Sequence, residues 1–126
     1  MNLEIEEKAS QDCVLRALNG IRASYDIDNG KIFGNFEESK TYFVFSTSVG
    51  GSDVMAEGFN GSWKVGVSAV FHCSNDDLEH SWEEIKGYMA SLMKECNCRF
   101  VLSFQYEKIY AVRDEGGIII IDGMAC

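Results

Sequence analysis

The sequence predicts an α+β fold: one antiparallel sheet of about six to seven strands with two helices, in the order α-β-β-β(-β)-α-β-β-β. Three observations carry that prediction. Leu78, Trp82, Ile85, Met89, Leu92 and Cys96 recur at steps of three and four, which places one apolar stripe on a helix. Val65, Val67, Ala69 and Phe71 alternate with small or polar residues, the period of a half-buried strand. The remaining strand-like runs are separated by short turns, and short turns favour antiparallel neighbours.

In chain order, Leu3–Asn19 reads as the first helix, with Val14 and Leu18 at helical spacing and Asn19-Gly20 as its stop. Ile21, Ala23, Tyr25 and Ile27 then alternate as a strand, unless the helix runs on to Ser24. Asp28-Asn29-Gly30-Lys31 is a hairpin signal, because Asn-Gly suits the positive φ angles of a type I′ turn. A strand over Lys31–Glu37, a turn at Glu38-Ser39-Lys40 and an aromatic strand over Thr41–Ser48 should follow. Val49–Ser62 is rich in glycine and reads as a loop that Gly50-Gly51 leaves free. Trp63–Cys73 is a strand and Asp76–Cys96 the second helix. Arg99–Gln105, Ile109–Arg113 and Ile118–Asp122 close the sheet, joined by turns at Glu107-Lys108 and Glu115-Gly116-Gly117. Ile118–Ile121 is apolar on both faces, which predicts a central or covered strand.

The chain of 126 residues, 46% hydrophobic, has the size and core material of a single domain over residues 1–126. It contains no proline, which excludes proline-rich linkers and recognition segments. The N-terminus MNLEIEEKAS lacks a basic region followed by an apolar run, so no signal peptide is expected. No stretch is long and apolar enough for a membrane span. Five cysteines, at 13, 73, 96, 98 and 126, predict free thiols in a reduced, cytoplasmic protein. The formal charge of −9 repels nucleic acid and anionic membrane and attracts basic proteins.

Chemistry is hard to find in these residues. A structural zinc site needs four Cys or His ligands, and His72-Cys73 is an adjacent strand pair whose side chains point apart. Cys96 falls on the apolar stripe of the second helix. Cys73 or Cys98 could pair with His80, but no nucleophile elbow or oxyanion hole accompanies them. Gly50-Gly51 is followed by Ser52-Asp53 without the lysine of a phosphate loop. The sequence therefore nominates no catalytic residue, no metal site and no cofactor.

The acids are more informative. With Ser74 or Asn75 as N-cap, Asp76, Asp77 and Glu79 lie in the first turn of the second helix. There each exposed charge gains ~0.3–1 kcal/mol from the helix dipole. Glu83 and Glu84 lie beyond that turn, and Glu79 and Glu83 repel as like charges four apart. Five carboxylates between Asp76 and Glu84 make either a solvated helix face or a surface for a basic partner, with the aromatic rings of the sheet as anchors.

The small size, the −9 charge, the acidic helix and the proline-free α+β pattern resemble the immunity proteins of bacterial toxin systems, including those of contact-dependent growth inhibition. The resemblance implies a cytoplasmic, non-catalytic inhibitor that occludes the active site of a cognate toxin, often a nuclease with a basic cleft. It nominates Asp76, Asp77, Glu79, Glu83 and Glu84, then Asp114 and Glu115, as partner-binding residues. The element order also resembles acidic type III secretion chaperones, which implies a homodimer binding an extended effector segment. That family closes with a third helix, whereas this chain ends in IIIIDGMAC. A third class, an enzyme or small-ligand module, would use the glycine-rich segment as a lid.

Overall fold

The computed structural model describes residues 1–7, 9–56, 59, 63–73, 78–114 and 117–120. Among these residues it is α+β, with one antiparallel sheet of eight strands and two helices. In chain order these are β1 (Asn2–Glu6), α1 (Gln11–Gly20), β2 (Ser24–Asp28), β3 (Lys31–Asn35), β4 (Tyr42–Ser52), β5 (Val65–His72), α2 (Leu78–Glu95), β6 (Phe100–Phe104), β7 (Lys108–Asp114) and β8 (Gly117–Ile120). The sheet order is β2-β3-β4-β5-β1-β6-β7-β8. Two meanders, β2 to β5 and β6 to β8, are thus joined through β1.

β1 is the strand that brings the count to eight, and it replaces the first half of the helix expected over Leu3–Asn19. Asn-Leu-Glu-Ile-Glu has a period of two. Leu3 lies opposite Ala69 and Leu102, and Ile5 opposite Val67 and Phe100, on the face covered by the helices. Glu4 and Glu6 point to the other face, and both are buried. Each finds full partners there. The Glu4 carboxylate accepts from the Met55 and Ala56 amides at 2.7 and 3.1 Å. Glu6 accepts from Arg99 N at 2.7 Å and from its guanidinium Nε and Nη2 at 3.2 and 3.0 Å.

α1 begins at Ser10, whose Oγ accepts from Cys13 N, as an N-cap should. Gly20 is its last residue, and the left-handed residue is Arg22 at φ 60° rather than Asn19 or Gly20. Gly20 instead permits close approach: a Cβ there would lie 2.5 Å from Ser91 Oγ of α2. The hairpin turn is as expected, with Asn29 at φ 52°, Gly30 at φ 78° and Asp28 paired with Lys31.

The glycine-rich segment departs from expectation. β4 runs on through Gly50-Gly51 to Ser52, although its register with β5 jumps from Thr47↔Val67 to Ser52↔Val65. Val65 also leaves the face it was expected to share with Val67. Between Ile5↔Val67 and Glu6↔Val65 the register slips, leaving Gly66 as the extra residue of a bulge. A Cβ on Gly66 would sit 2.3 Å from Glu7 Cα, so the close backbone approach excludes a side chain there. Val65 turns into a second cluster with Ala56, Trp63 and Val101. The main core lies on the opposite face, under Val14, Ala17 and Leu18 of α1 and Trp82, Ile85, Tyr88, Met89 and Leu92 of α2. Thus the stripe expected on α2 faces the sheet. Ser74, Asn75, Asp76 and Asp77 lie outside the described residues.

Two further expectations are corrected. β8 pairs with β7 and forms an edge of the sheet, not its centre. The other alternative, a covered strand, is met at Ile118, which packs against the main core. Cys13 and Cys96 are joined by a disulfide rather than free, because α1 and the end of α2 bring their Cα atoms within 5.8 Å. Cys73 and Cys98 remain thiols. Closing a loop across 83 residues of separation removes about 4–5 kcal/mol of unfolded-chain entropy. No helix among the described residues is long and apolar enough to cross a membrane.

Burial raises the Glu4 carboxyl above the ordinary glutamate range, against the lowering effect of the Met55 and Ala56 amides. Because the folded value is the higher one, this group's contribution to stability is fully present below pH about 4.5 and declines as pH rises through the folded value. Glu4→Gln removes that titration. Urea unfolding at pH 4 and pH 7 should show wild type losing stability relative to Glu4→Gln as pH rises; a constant difference refutes this assignment.

Candidate functional site

One end of the sheet collects most of the features that the sequence associates with binding. Tyr42, the first residue of β4, is opposite Asn35, the last of β3, and His72, the last of β5. The Phe71 amide donates to Met1 O, which brings the chain start to the same end. The first turns of α2 lie above it. Ser81 Oγ accepts from Thr41 Oγ1 at 2.9 Å, and Thr41 is hydrogen-bonded to Ser39 Oγ at 2.6 Å. These three hydroxyls form a buried chain linking α2 to the β3–β4 turn.

Glu84 belongs to the same joint. Its carboxylate accepts from the Ser39 amide at 2.6 Å and the Glu38 amide at 3.2 Å. A charged acceptor for two otherwise unpaired turn amides is a strong local tie. Glu84 is therefore half-buried and engaged within the molecule. Its two bonds carry Glu37 and Glu38, both exposed, alongside α2. Glu79 and Glu83 are exposed on the helix itself. Glu83 pairs with Lys86 at 2.8 Å, and Lys86 Nζ sits 5.5 Å from the Trp82 ring. The surface thus combines Glu37, Glu38, Glu79 and Glu83 with two cations, Lys40 and Lys86.

Exposed aromatic residues lie at the same end. Tyr42 is 41% exposed, with its ring 5.8 Å from that of His72. Phe104, at the end of β6, is 44% exposed. Trp82, which is buried, and half-buried Tyr110 meet at 6.2 Å between α2 and β7. Tyr42 and His72 alternate with the core residues Phe43 and Phe71, so their rings lie on the face of the sheet opposite α2 and its carboxylates.

The nominated residues divide. Glu79, Glu83 and Glu84 are together. Asp76, Asp77 and Glu115 lie outside the described residues. Asp114 ends β7 at the far end, opposite Gly117. Its neighbour Arg113 donates to Cys96 O, beyond the last turn of α2. The 18 residues of that helix, at ~1.5 Å each, put Asp114 far from Glu79. Glu37, Glu38 and Tyr42 were not nominated. Their signal is an acidic pair before an aromatic strand, but 45 residues separate Ser39 from Glu84.

The thiol at this end is not primed for attack. Burial pushes the Cys73 thiol up, more than the Met1 ammonium and Ser81 lower it. A thiol held protonated is a weak nucleophile. Among the described residues, no three His, Cys, Asp or Glu side chains are grouped to hold a metal ion. At the opposite end of the sheet, Val14, Ile32, Phe45 and Val67 line a shallow apolar crevice with no room for a ligand.

Different costs are expected within this acidic set. Glu84→Gln loses one of two amide acceptors and should destabilise the protein by about 1 kcal/mol or more. Glu79→Gln and Glu83→Gln should each stay within about 0.5 kcal/mol of wild type. Chemical denaturation of the three variants checks this, and equal effects would contradict the structural role of Glu84.

No protein-family model matches the chain, and neither does any curated protein or solved structure.

Proposed function

We propose that the chain is a non-catalytic inhibitor that binds a cognate, basic toxin domain, a nuclease being the best fit, and occludes its active site. The observation that carries this reading is the gathering of four exposed carboxylates, Glu37 and Glu38 at the β3–β4 turn and Glu79 and Glu83 on α2, through the bonds of Glu84 to that turn. The carboxylates would stand where nucleic-acid phosphates otherwise lie in a basic cleft. The net charge of −9 would speed encounter with such a partner. The resemblance to immunity proteins supports the same reading, while the Cys13–Cys96 disulfide removes the free-thiol ground for placing the chain in the cytoplasm. The chaperone resemblance loses part of its basis, since its helix-first order is not observed: β1 precedes α1.

The test uses the protein that co-purifies with this chain from its native source. A variant carrying Glu37→Gln, Glu38→Gln, Glu79→Gln and Glu83→Gln leaves Glu84 in place, so the β3–β4 turn keeps its tie. Titration calorimetry at 50 and 300 mM salt should show about 10- to 100-fold weaker binding at low salt and a smaller loss at high salt. Affinity and salt slope unchanged in the quadruple variant would place the interface elsewhere.

A further inference from the structure

α1 and α2 lie side by side on the sheet, and their contact is fastened along its length. Tyr88 Oη donates to Val14 O at 3.4 Å, and Ser91 Oγ donates to Ala17 O at 2.9 Å. Arg16 and Glu95 pair at 3.5 Å. The Cys13–Cys96 disulfide closes the end where α1 starts and α2 stops. The two cysteines are 7% and 6% exposed.

The two halves of this joint are unequal. Cys96 is anchored from both sides: its amide donates to Leu92 O at 2.8 Å and its carbonyl accepts from Arg113 at 2.9 Å. Cys13 sits in the first turn of a helix of ten residues, shorter than an isolated helix needs for stability. That turn is held by the Ser10 cap, whose Oγ accepts the Cys13 amide at 3.2 Å. α1 is therefore the side that can open.

We propose that Cys13–Cys96 is a redox-sensitive lock on the α1–α2 joint, and that opening of the first turn of α1 controls access to it. The chemistry is thiol–disulfide exchange with a dithiol. A thiolate of the reductant attacks one sulfur of the lock and forms a mixed disulfide. The other sulfur leaves as thiolate and takes a proton. The second thiol of the reductant then attacks the mixed disulfide. The protein ends with two thiols and the reductant with one disulfide. A disulfide oxidant of the glutathione class reverses the sequence. The reduced cysteines remain small apolar side chains in the core, so the fold persists with α1 less firmly held.

The wild-type chain tests the bond itself. Protein equilibrated with oxidised glutathione, then unfolded in urea with iodoacetamide, should carry label only at cysteines other than Cys13 and Cys96, that is at Cys73, Cys98 and Cys126, with the Cys13 and Cys96 peptides linked. Label at Cys13 or Cys96 overturns the lock. Dithiothreitol should lower Tm by about 10–20 °C in wild type and leave Cys13→Ser unchanged. A wild-type Tm that does not respond to reductant overturns it as well. Access is tested by rate: the native bond should be reduced at least about 100-fold more slowly than the same bond in urea. Ser10→Ala, which removes the cap, should speed native reduction about fivefold. A native rate equal to that in urea, or one indifferent to Ser10→Ala, overturns the gate.

Discussion

The sheet depends on β1. Its two meanders share no direct strand pairing, and β1 meets both, β5 on one side and β6 on the other. That position requires Asn-Leu-Glu-Ile-Glu to be buried on both faces, which places two carboxylates where water does not reach. A buried carboxylate without partners would cost several kcal/mol. Each glutamate instead receives amide or guanidinium donors from chain far away in sequence. Glu4 thereby ties down the segment around Met55 and Ala56, and Glu6 ties down Arg99 at the entry to β6. The groups that solve the burial problem also hold the second face of the sheet in place.

The same economy appears at the other joint. α2 packs its apolar stripe on the sheet and sends one carboxylate, Glu84, into the β3–β4 turn. That bond draws Glu37 and Glu38 up to Glu79 and Glu83. The acidic surface is therefore assembled by an acid that does not itself face outward. Among the described acids of this surface on α2, Glu84 organises a turn, whereas Glu79 and Glu83 are exposed.

Much of this was legible in the chain. The α2 stripe, the Asn29-Gly30 hairpin and the alternation through β5 are local patterns, and each led to the right element. β1 is absorbed into the first helix when the helical spacing of Val14 and Leu18 is extended back to Leu3, because nothing local shows that Glu4 and Glu6 can be buried. Their neutralising partners lie about 50 and 93 residues away. Val65 was placed on the wrong face because a bulge at Gly66 shifts the alternation, and a bulge is a property of two strands. The disulfide escaped notice because Cys13 and Cys96 have no spacing that marks them. They meet only when the two helices pack.

The sequence by itself determined the fold class, the two helices, most strands and a strongly acidic surface, because periodicity and charge are properties of consecutive residues. The tertiary structure alone decided that a Glu-bearing strand occupies the centre of the sheet and that the isoleucine run occupies an edge. It decided which acids are engaged and which are exposed, and which cysteines pair. Those outcomes depend on partners distant along the chain, and only the packed fold places those partners within hydrogen-bonding or bonding distance.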